Sequence, residues 1–504
     1  KIKNMIPLAK DVEEIVGFVK SSLGPKGMDK LLISENGNLK VTNDGATILK
    51  NVSCDSIASI IIRDICTVQD NEIGDGTTSV CCFAGELVKE AEKLVSLNLS
   101  PQIIIQGYRL GAKRALEIVK ENSFNNSLNL EFFCSDLLNL AKTTLSSKVI
   151  FSNKEHFARI AIKAILKLKG STDLNRIQII KKCGGSLKDS FIEDGYILQK
   201  KMGNNQPKRI YNAKILIANT PMDSDKIKIL GAKIKVKTLA KLAQLEVGEQ
   251  KRILDKCKKI ASHGANVFVN RQLIYSRPEK FFTENGLISI EHADFEGVER
   301  LSLATGAEVV STFDEPSKIK LGKCKIVEEI LVGNETMIRF GGCPSDGACT
   351  IVLRGSNNEL LEEAERSVHD TLCVLTQVIK NPNLVWGGGF LETKISNSID
   401  HLAKKASPKI TLVLEAFSRS IQKIPKIIIE NGGFDSLICL KKLKNAQFKK
   451  NSFPCIDITN GSITDAKKIG LIECIKLKIQ IIISSVEAAE MIIRIDKMFL
   501  NSSH

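Results

Sequence analysis

Gly74-Asp75-Gly76-Thr77-Thr78-Ser79 is the stretch whose reading decides the fold. It follows a loop that carries Asp70 and Glu72. It then runs into a helical pattern, with Val80, Ala84, Leu87, Val88, Ala91, Leu94 and Val95 on one face. Two glycines let the backbone come close to a ligand. Thr77, Thr78 and Ser79 offer hydroxyls and N–H groups at a helix start, where the macrodipole favours an anion. An aspartate inside a phosphate cradle repels the phosphates unless a cation lies between them. Asp75 therefore implies Mg²⁺, a hard ion that binds through few carboxylates plus phosphate oxygens and water. The same residues also read as a Gly-Asp turn with threonine and serine as ordinary helix caps, and the short motif by itself leaves both readings open.

Working outward, Val12, Ile15, Val16, Val19 and Leu23 mark an amphipathic helix. It stops at Leu23-Gly24-Pro25, where glycine suits the position after the last turn and proline cannot continue the helix. Leu31–Ile33 and Leu39–Thr42 read as a hairpin around Asn36-Gly37. Asn43-Asp44-Gly45 reads as a turn, and Ala46-Thr47-Ile48-Leu49 starts a helix. Ile57, Ile60, Ile61, Ile65 and Val68 form the next apolar stripe, and Ser100-Pro101 opens a helix to about Val119. Asn122–Asn129 is a polar linker, after which helices are expected over Phe132–Leu145 and Lys154–Leu168.

From about Lys181 the period shortens. Ile215–Ala218, Val267–Val269, Leu287–Ile290, Val309–Ser311, Cys324–Ile330, Met337–Phe340 and Thr350–Leu353 read as strands. Between the first two lies Asp223–His263, long, charged and helix-prone, as a protruding lid or contact arm would be. Past Arg354-Gly355, Leu360, Leu361, Ala364, Val368, Leu375 and Val378 line a long helix to Ile379, with Asp370 off that stripe. Trp386-Gly387-Gly388-Gly389 is a further glycine loop opening a helix, and the remainder to Ile495 reads as largely helical. The order is helical, mixed, β-rich, mixed, helical, which points to one domain inserted within another.

A chain of 504 residues exceeds one core, so roughly two to four domains are expected. A content of 43% hydrophobic and 26% charged residues is that of a globular protein. No apolar run is long enough to predict a membrane span. The opening Lys1-Ile2-Lys3-Asn4-Met5 is not a signal peptide, and with no Met at position 1 a native N-terminal tail is expected to be missing. The 14 cysteines show no repeated metal-ligand spacing, and Cys343 and Cys349 are too isolated to argue for zinc. Reduced, buried thiols in a cytosolic chain are expected. A net charge of +15 raises nucleic acid as a partner. The lysines are spread along the chain, however, and aromatics make up only 5%, so stacking platforms for single strands are scarce.

Leu23-Gly24-Pro25-Lys26-Gly27, Thr42-Asn43-Asp44-Gly45-Ala46-Thr47, Gly74–Ser79 and Gly387–Gly389 stand in an order and spacing that resembles the group II chaperonins, the ATP-driven folding machines of archaea and the eukaryotic cytosol. The resemblance covers essentially the whole chain. It sharpens toward one subunit type at Gly203–Arg209, Ile217–Asp223, Val269–Tyr275, Ile290–Phe295 and Gly297–Arg300. It implies a multi-domain α/β chaperonin fold. A helical equatorial ATP domain would come from residues 1–128 and 383–504, and a small α/β intermediate domain from 129–193 and 355–382. A β-rich apical substrate-binding domain would span 194–354, with a helical lid protrusion at about 223–263. It further implies homologous subunits in a hetero-oligomeric double ring, unfolded cytosolic clients, ATP and Mg²⁺, and neither a nucleic-acid nor a membrane partner.

Residue by residue, the resemblance places Gly24 and Pro25 at the nucleotide phosphates. Asp75 would hold Mg²⁺, with Gly76, Thr77, Thr78 and Ser79 around the phosphates. Asp44, followed by Gly45, and Asp370 would position and polarise the attacking water. Lys148, after Ser146-Ser147, would sense the γ-phosphate. Gly387 and Gly388 would pass close to the nucleotide, with Glu473 and Lys478 near its ribose and base. Asp370 would come from the intermediate domain, so that hydrolysis is tied to a hinge swing. A ring member that binds nucleotide but scarcely turns it over would carry nearly the same motifs.

Read without the resemblance, Asp44 in Asn-Asp-Gly is better taken as a turn residue, and Asp370 as a solvated helix-face carboxylate, the commoner fate of such a residue. Lys148 is then a surface lysine and Gly387–Gly389 a flexible linker. Trp386 reads as packing, and His292 and His369 as structural histidines. Two residues depart from the family pattern. Ile479 stands beside Lys478 where an arginine is common, and Lys142 occupies a position usually small in that subunit type.

Overall fold

The computed structural model describes residues 2–33, 37, 39–52, 56–168, 170–203, 205–222, 239–344, 347–447 and 452–496. The first stretch runs α1 (Ile2–Lys20), β1 (Lys30–Ile33), β2 (Leu39–Thr42), α2 (Gly45–Asn51), α3 (Ile57–Ile73), α4 (Thr77–Ser96), α5 (Pro101–Glu121), α6 (Leu130–Leu145) and α7 (Lys154–Lys167). The middle carries β3 (Ile177–Cys183), β4 (Phe191–Glu193), β5 (Tyr196–Leu198), β6 (Arg209–Ala218), α8 (Leu239–Ser262), β7 (Val267–Asn270), α9 (Ser276–Glu284), β8 (Ile288–Ile290), α10 (Phe295–Thr305), β9 (Val309–Val310), β10 (Gly322–Val332), β11 (Glu335–Gly341) and β12 (Cys349–Gly355). The last stretch is α11 (Asn358–Lys380), β13 (Leu384–Trp386), α12 (Phe390–Ala403), α13 (Pro408–Ile421), α14 (Lys423–Asn431), α15 (Ser436–Ala446), β14 (Pro454–Asp457), β15 (Ser462–Asp465), α16 (Ala466–Ile469), β16 (Ile472–Cys474) and α17 (Ile475–Arg494).

These elements form two compact units, one from residues 1–162 and 357–504, the other from 163–356. The first is mostly helical and centres on α4, which packs on α1, α3, α13 and α17. Its apolar stripe predicts this: Val80, Ala84, Leu87, Val88 and Ala91 are all at most 1% exposed. Phe417 on α13 meets Phe83 on α4 edge-on at 5.7 Å and Tyr108 on α5 at 5.9 Å. Gly107 and Gly111 let α13 approach α5, because a Cβ on Gly107 would lie 2.5 Å from Val413 Cγ1. Tyr108 satisfies its hydroxyl by donating to the Leu87 carbonyl at 2.8 Å. Each such buried aromatic stabilises the unit by roughly 2–3 kcal/mol.

The second unit is built on a seven-stranded sheet of order β5-β11-β10-β6-β7-β8, with β9 also paired to β6. Strands β6, β7 and β8 run parallel, and both faces are covered. Ile215, Ile217, Val267 and Val269 pack with Val298 and Leu301 of α10. Leu216, Ala218 and Phe268 point to the opposite face and pack with Cys257 and Ile260 of α8 and Phe282 of α9. This two-sided burial is why the strands read as continuous apolar runs rather than alternating ones.

Several expectations need correction. Asp70 and Glu72 lie inside α3, not in a loop before Gly74. The first helix starts at Ile2, well before its apolar stripe becomes legible, and holds Pro7. The β-rich stretch opens with β3 at Ile177, ahead of the change of period read near Lys181, and the remainder after Gly389, largely helical as read, also contains β14, β15 and β16. These last strands are three or four residues long, too short for a period to register. The β1–β2 hairpin pairs Lys30 with Thr42 and Ile33 with Leu39, while the turn expected at Asn36 lies outside the described residues. So do residues 223–238 of the expected lid, of which α8 forms the described part. Trp386 stacks on Phe124 at 4.5 Å, a packing role.

Candidate active site

Helix α3 ends at Gly74 in a left-handed conformation (φ 76°), and Gly76 repeats it (φ 78°) as the residue before α4. Neither position has room for a side chain. A Cβ on Gly74 would lie 2.6 Å from Cys373 Cβ and 3.6 Å from the Asp370 Cα on α11, and one on Gly76 would lie 2.7 Å from Leu477 Cδ1 on α17. The loop is thus pinned between α11 and α17, with Asp75 between its glycines. Asp75 Oδ1 accepts from the Gly76 N–H at 2.7 Å, and the Asp75 carbonyl accepts from Gln69 Nε2 at 2.9 Å.

Asp44 caps α2. Its Oδ2 accepts from the Thr47 N–H at 2.8 Å and the Thr47 hydroxyl at 2.7 Å. Its Oδ1 accepts from the Thr77 hydroxyl at 3.0 Å, so the cap of one helix is bonded to the first residue of another. Gly45 lets the two N-termini touch, since a Cβ there would lie 2.7 Å from Thr78 Oγ1. Lys148 lies between α6 and the 3₁₀ turn Val149–Asn153, and its Nζ donates to Asp370 Oδ2 at 2.6 Å. Both side chains are nearly closed off, 9% and 12% exposed. Asp370 is therefore no solvated helix-face carboxylate.

Burial alone would favour a neutral Lys148, but Asp370, Asp44 and Asp75 outweigh it and hold the ammonium charged. Burial also works against an ionised Asp44, yet Lys148 and the bonds from Thr47 and Thr77 keep its carboxyl below the usual range. Burial pushes Asp75 up. It pushes Asp370 up to about 7, with Asp44 and Asp75 adding to the effect and Lys148 opposing it. Three carboxylates share one ammonium, so the fully ionised cluster carries a net charge of −2 (three negative, one positive). That donor set suits a divalent cation. Among the described residues no three His, Cys, Asp or Glu side chains stand close enough to hold a metal by themselves. A cation here would draw its remaining oxygens from water or a bound ligand, the habit of Mg²⁺.

A second cluster forms where β13 pairs with β16, Val385 opposite Glu473. The pairing brings Gly387 so close that a Cβ would collide with Glu473 Oε1. Lys478 bridges Glu473 Oε2 at 2.6 Å and Glu392 Oε1 at 2.7 Å. Burial favours neutral forms here too, but the two carboxylates keep Lys478 charged. Gly388 is left-handed (φ 70°), with Cys455 Cβ 2.7 Å from where its own Cβ would be.

Gly24 (φ 92°) is placed by α14: its nearest side chain is Ile428, and Asn431 Nδ2 donates to the Lys20 and Leu23 carbonyls at 3.0 and 2.8 Å. Pro25 is exposed. Ser146 spends its hydroxyl on the Thr143 carbonyl at 2.6 Å. Lys142 pairs with Glu155 at 2.7 Å. Sequence reasoning missed Thr47, Gln69 and Glu392. The signal for Glu392 was its place in the first turn of the helix opened by the glycine loop, where an acid suits the dipole.

The sequence profile of the TCP-1/cpn60 chaperonin family matches residues 15–502. The chain is 52% identical to T-complex protein 1 subunit beta of Saccharomyces cerevisiae, over 95% of this chain and 92% of the yeast protein. It is 49% identical to the Dictyostelium discoideum protein of the same name, over 96% and 91%. It is 47% identical to that of Homo sapiens, over 95% and 90%.

Proposed function

Because the chain belongs to the TCP-1/cpn60 chaperonin family, chaperones of protein folding, we propose that it serves as a beta-type subunit of a cytosolic double ring and hydrolyses ATP as that ring works. Its partners are then homologous chaperonin chains and unfolded client proteins. The three-part division into equatorial, intermediate and apical domains belongs to the same proposal. The described residues include no helix long and apolar enough to cross a membrane.

In this reading the left-handed glycines bring the backbone N–H groups and hydroxyls at the start of α4 to the phosphates, where the helix dipole favours negative charge. Asp75 holds Mg²⁺, which when bound neutralises charge on the phosphate oxygens. Gly387 and Gly388 let the chain pass close to the nucleotide, and Glu473 and Lys478 lie near its ribose and base. Asp44 orients the attacking water and Asp370 polarises it, a task suited to a carboxyl whose affinity for protons burial has raised toward neutrality. Lys148 holds Asp370 in place and offers charge to the terminal phosphate. A hinge that lifted α11 off Gly74 would withdraw Asp370 and stop the reaction.

The observation that carries this reading is the Lys148–Asp370 bond, formed beside Asp44 and Asp75 in one charge-coupled cluster. The test is Asp370→Ala in the assembled ring, with the homologous chains inactivated at the matching aspartate. ATP binding should persist while turnover falls by about 10²-fold or more. Lost binding would contradict the assigned role. Turnover already absent in the unaltered subunit would mark a structural ring member that only binds nucleotide.

A further inference from the structure

We infer that Glu392, a residue outside the nucleotide set assigned above, is a positioning residue that sets how tightly the site grips the sugar of its nucleotide. The inference rests on the proposed ATP reading. Glu392 is 5% exposed, on the first turn of α12, directly after the Gly387–Gly389 loop. Its Oε1 accepts from Lys478 Nζ at 2.7 Å, while its Oε2 is buried with no hydrogen-bond partner among the described residues. A buried carboxylate with one idle oxygen is poorly satisfied, and a neutral residue of its size would sit there at lower cost. What the charge does accomplish lies one bond away.

Lys478 stands between two carboxylates, Glu392 and Glu473, and Glu473 lies against the backbone of Gly387. With Glu392 charged, the ammonium is shared between the two. Glu473 then keeps acceptor strength for a ligand hydroxyl at the glycine loop. With glutamine in place of Glu392, Lys478 keeps Glu473 as its one carboxylate partner and competes with the ligand for it. Glu392 therefore acts through Lys478 and touches no reacting atom.

The experiment measures KM and kcat of the assembled ring, other chains inactivated, for ATP and for an ATP analogue lacking both ribose hydroxyls. Glu392→Gln keeps the side-chain volume and an oxygen for Lys478 to bond, so folding should survive. It should raise KM for ATP about tenfold, the loss of one charge-assisted bond. It should leave kcat, and KM for the analogue, unchanged. Added to Glu473→Gln, it should have no further effect. An equal rise for both nucleotides, a fall in kcat alone, or additivity with Glu473→Gln would overturn the inference and leave Glu392 a structural residue. An unaltered ring subunit that fails to bind ATP would remove the function reading itself. Normal binding there with an unchanged Glu392→Gln variant would remove only this inference.

Discussion

Asp370 carries a carboxyl that burial pushes up to about 7 from an ordinary 3.8. Between those values the folded chain holds a proton that the unfolded chain releases. The contribution to stability is therefore present below the unfolded value and lost as pH rises through about 7. Asp370→Asn cannot ionise and should escape that loss. Thermal unfolding of both nucleotide-free chains from about pH 5 to about pH 8 should show the variant gaining on the wild type as pH rises. Parallel profiles would mean that Lys148 keeps Asp370 ionised throughout. At this scale the sequence supplies residue types but not their environment. Asp370 and Glu362 are both acids on α11, and burial distinguishes them: Asp370 is buried and Glu362 is exposed.

Helix α2 begins at a residue with two duties. Asp44 accepts from the Ala46 and Thr47 N–H groups as an N-cap, and its Oδ1 reaches Thr77 at the start of α4. Serine can cap but brings no charge. Asp44→Ala should cost about 1 kcal/mol of stability and Asp44→Ser a few tenths, read by denaturant unfolding. Both should lower ATP turnover by about 10²-fold in the assembled ring. Turnover retained in the serine variant would reduce Asp44 to a cap, the turn reading that the sequence left open. The long helices were legible because burial of one face imposes a 3.6-residue period on many residues at once. The short strands β13, β14, β15 and β16 left no such trace, yet β13 and β16 are what bring Gly387 to Glu473.

Over the whole molecule, residues 163–356 form a unit with its own cores on both faces of one sheet. A fragment of that span should fold by itself, giving a cooperative thermal transition and a sheet-rich circular dichroism spectrum. A fragment without a transition would show that the sheet depends on the rest of the chain. The described cysteines form no disulfide, so a unit of this size relies on buried area for its stability. The interruption of one helical unit by a β-rich one was visible in the change of hydrophobic period. The grouping of α6 and α11 with the helical unit was not, because it follows from packing between helices more than two hundred residues apart.

By itself the sequence determined the local parts: glycines where the backbone turns left-handed, acids and hydroxyls at helix starts, apolar faces of the right period. Each depends on neighbours within a few residues, and such neighbours are written consecutively. The tertiary structure alone decided that Lys148 meets Asp370, 222 positions away, and that Lys478 is shared between Glu473 and Glu392. Those pairings arise from desolvation and charge balance inside a closed space, and both exist only once distant helices have packed.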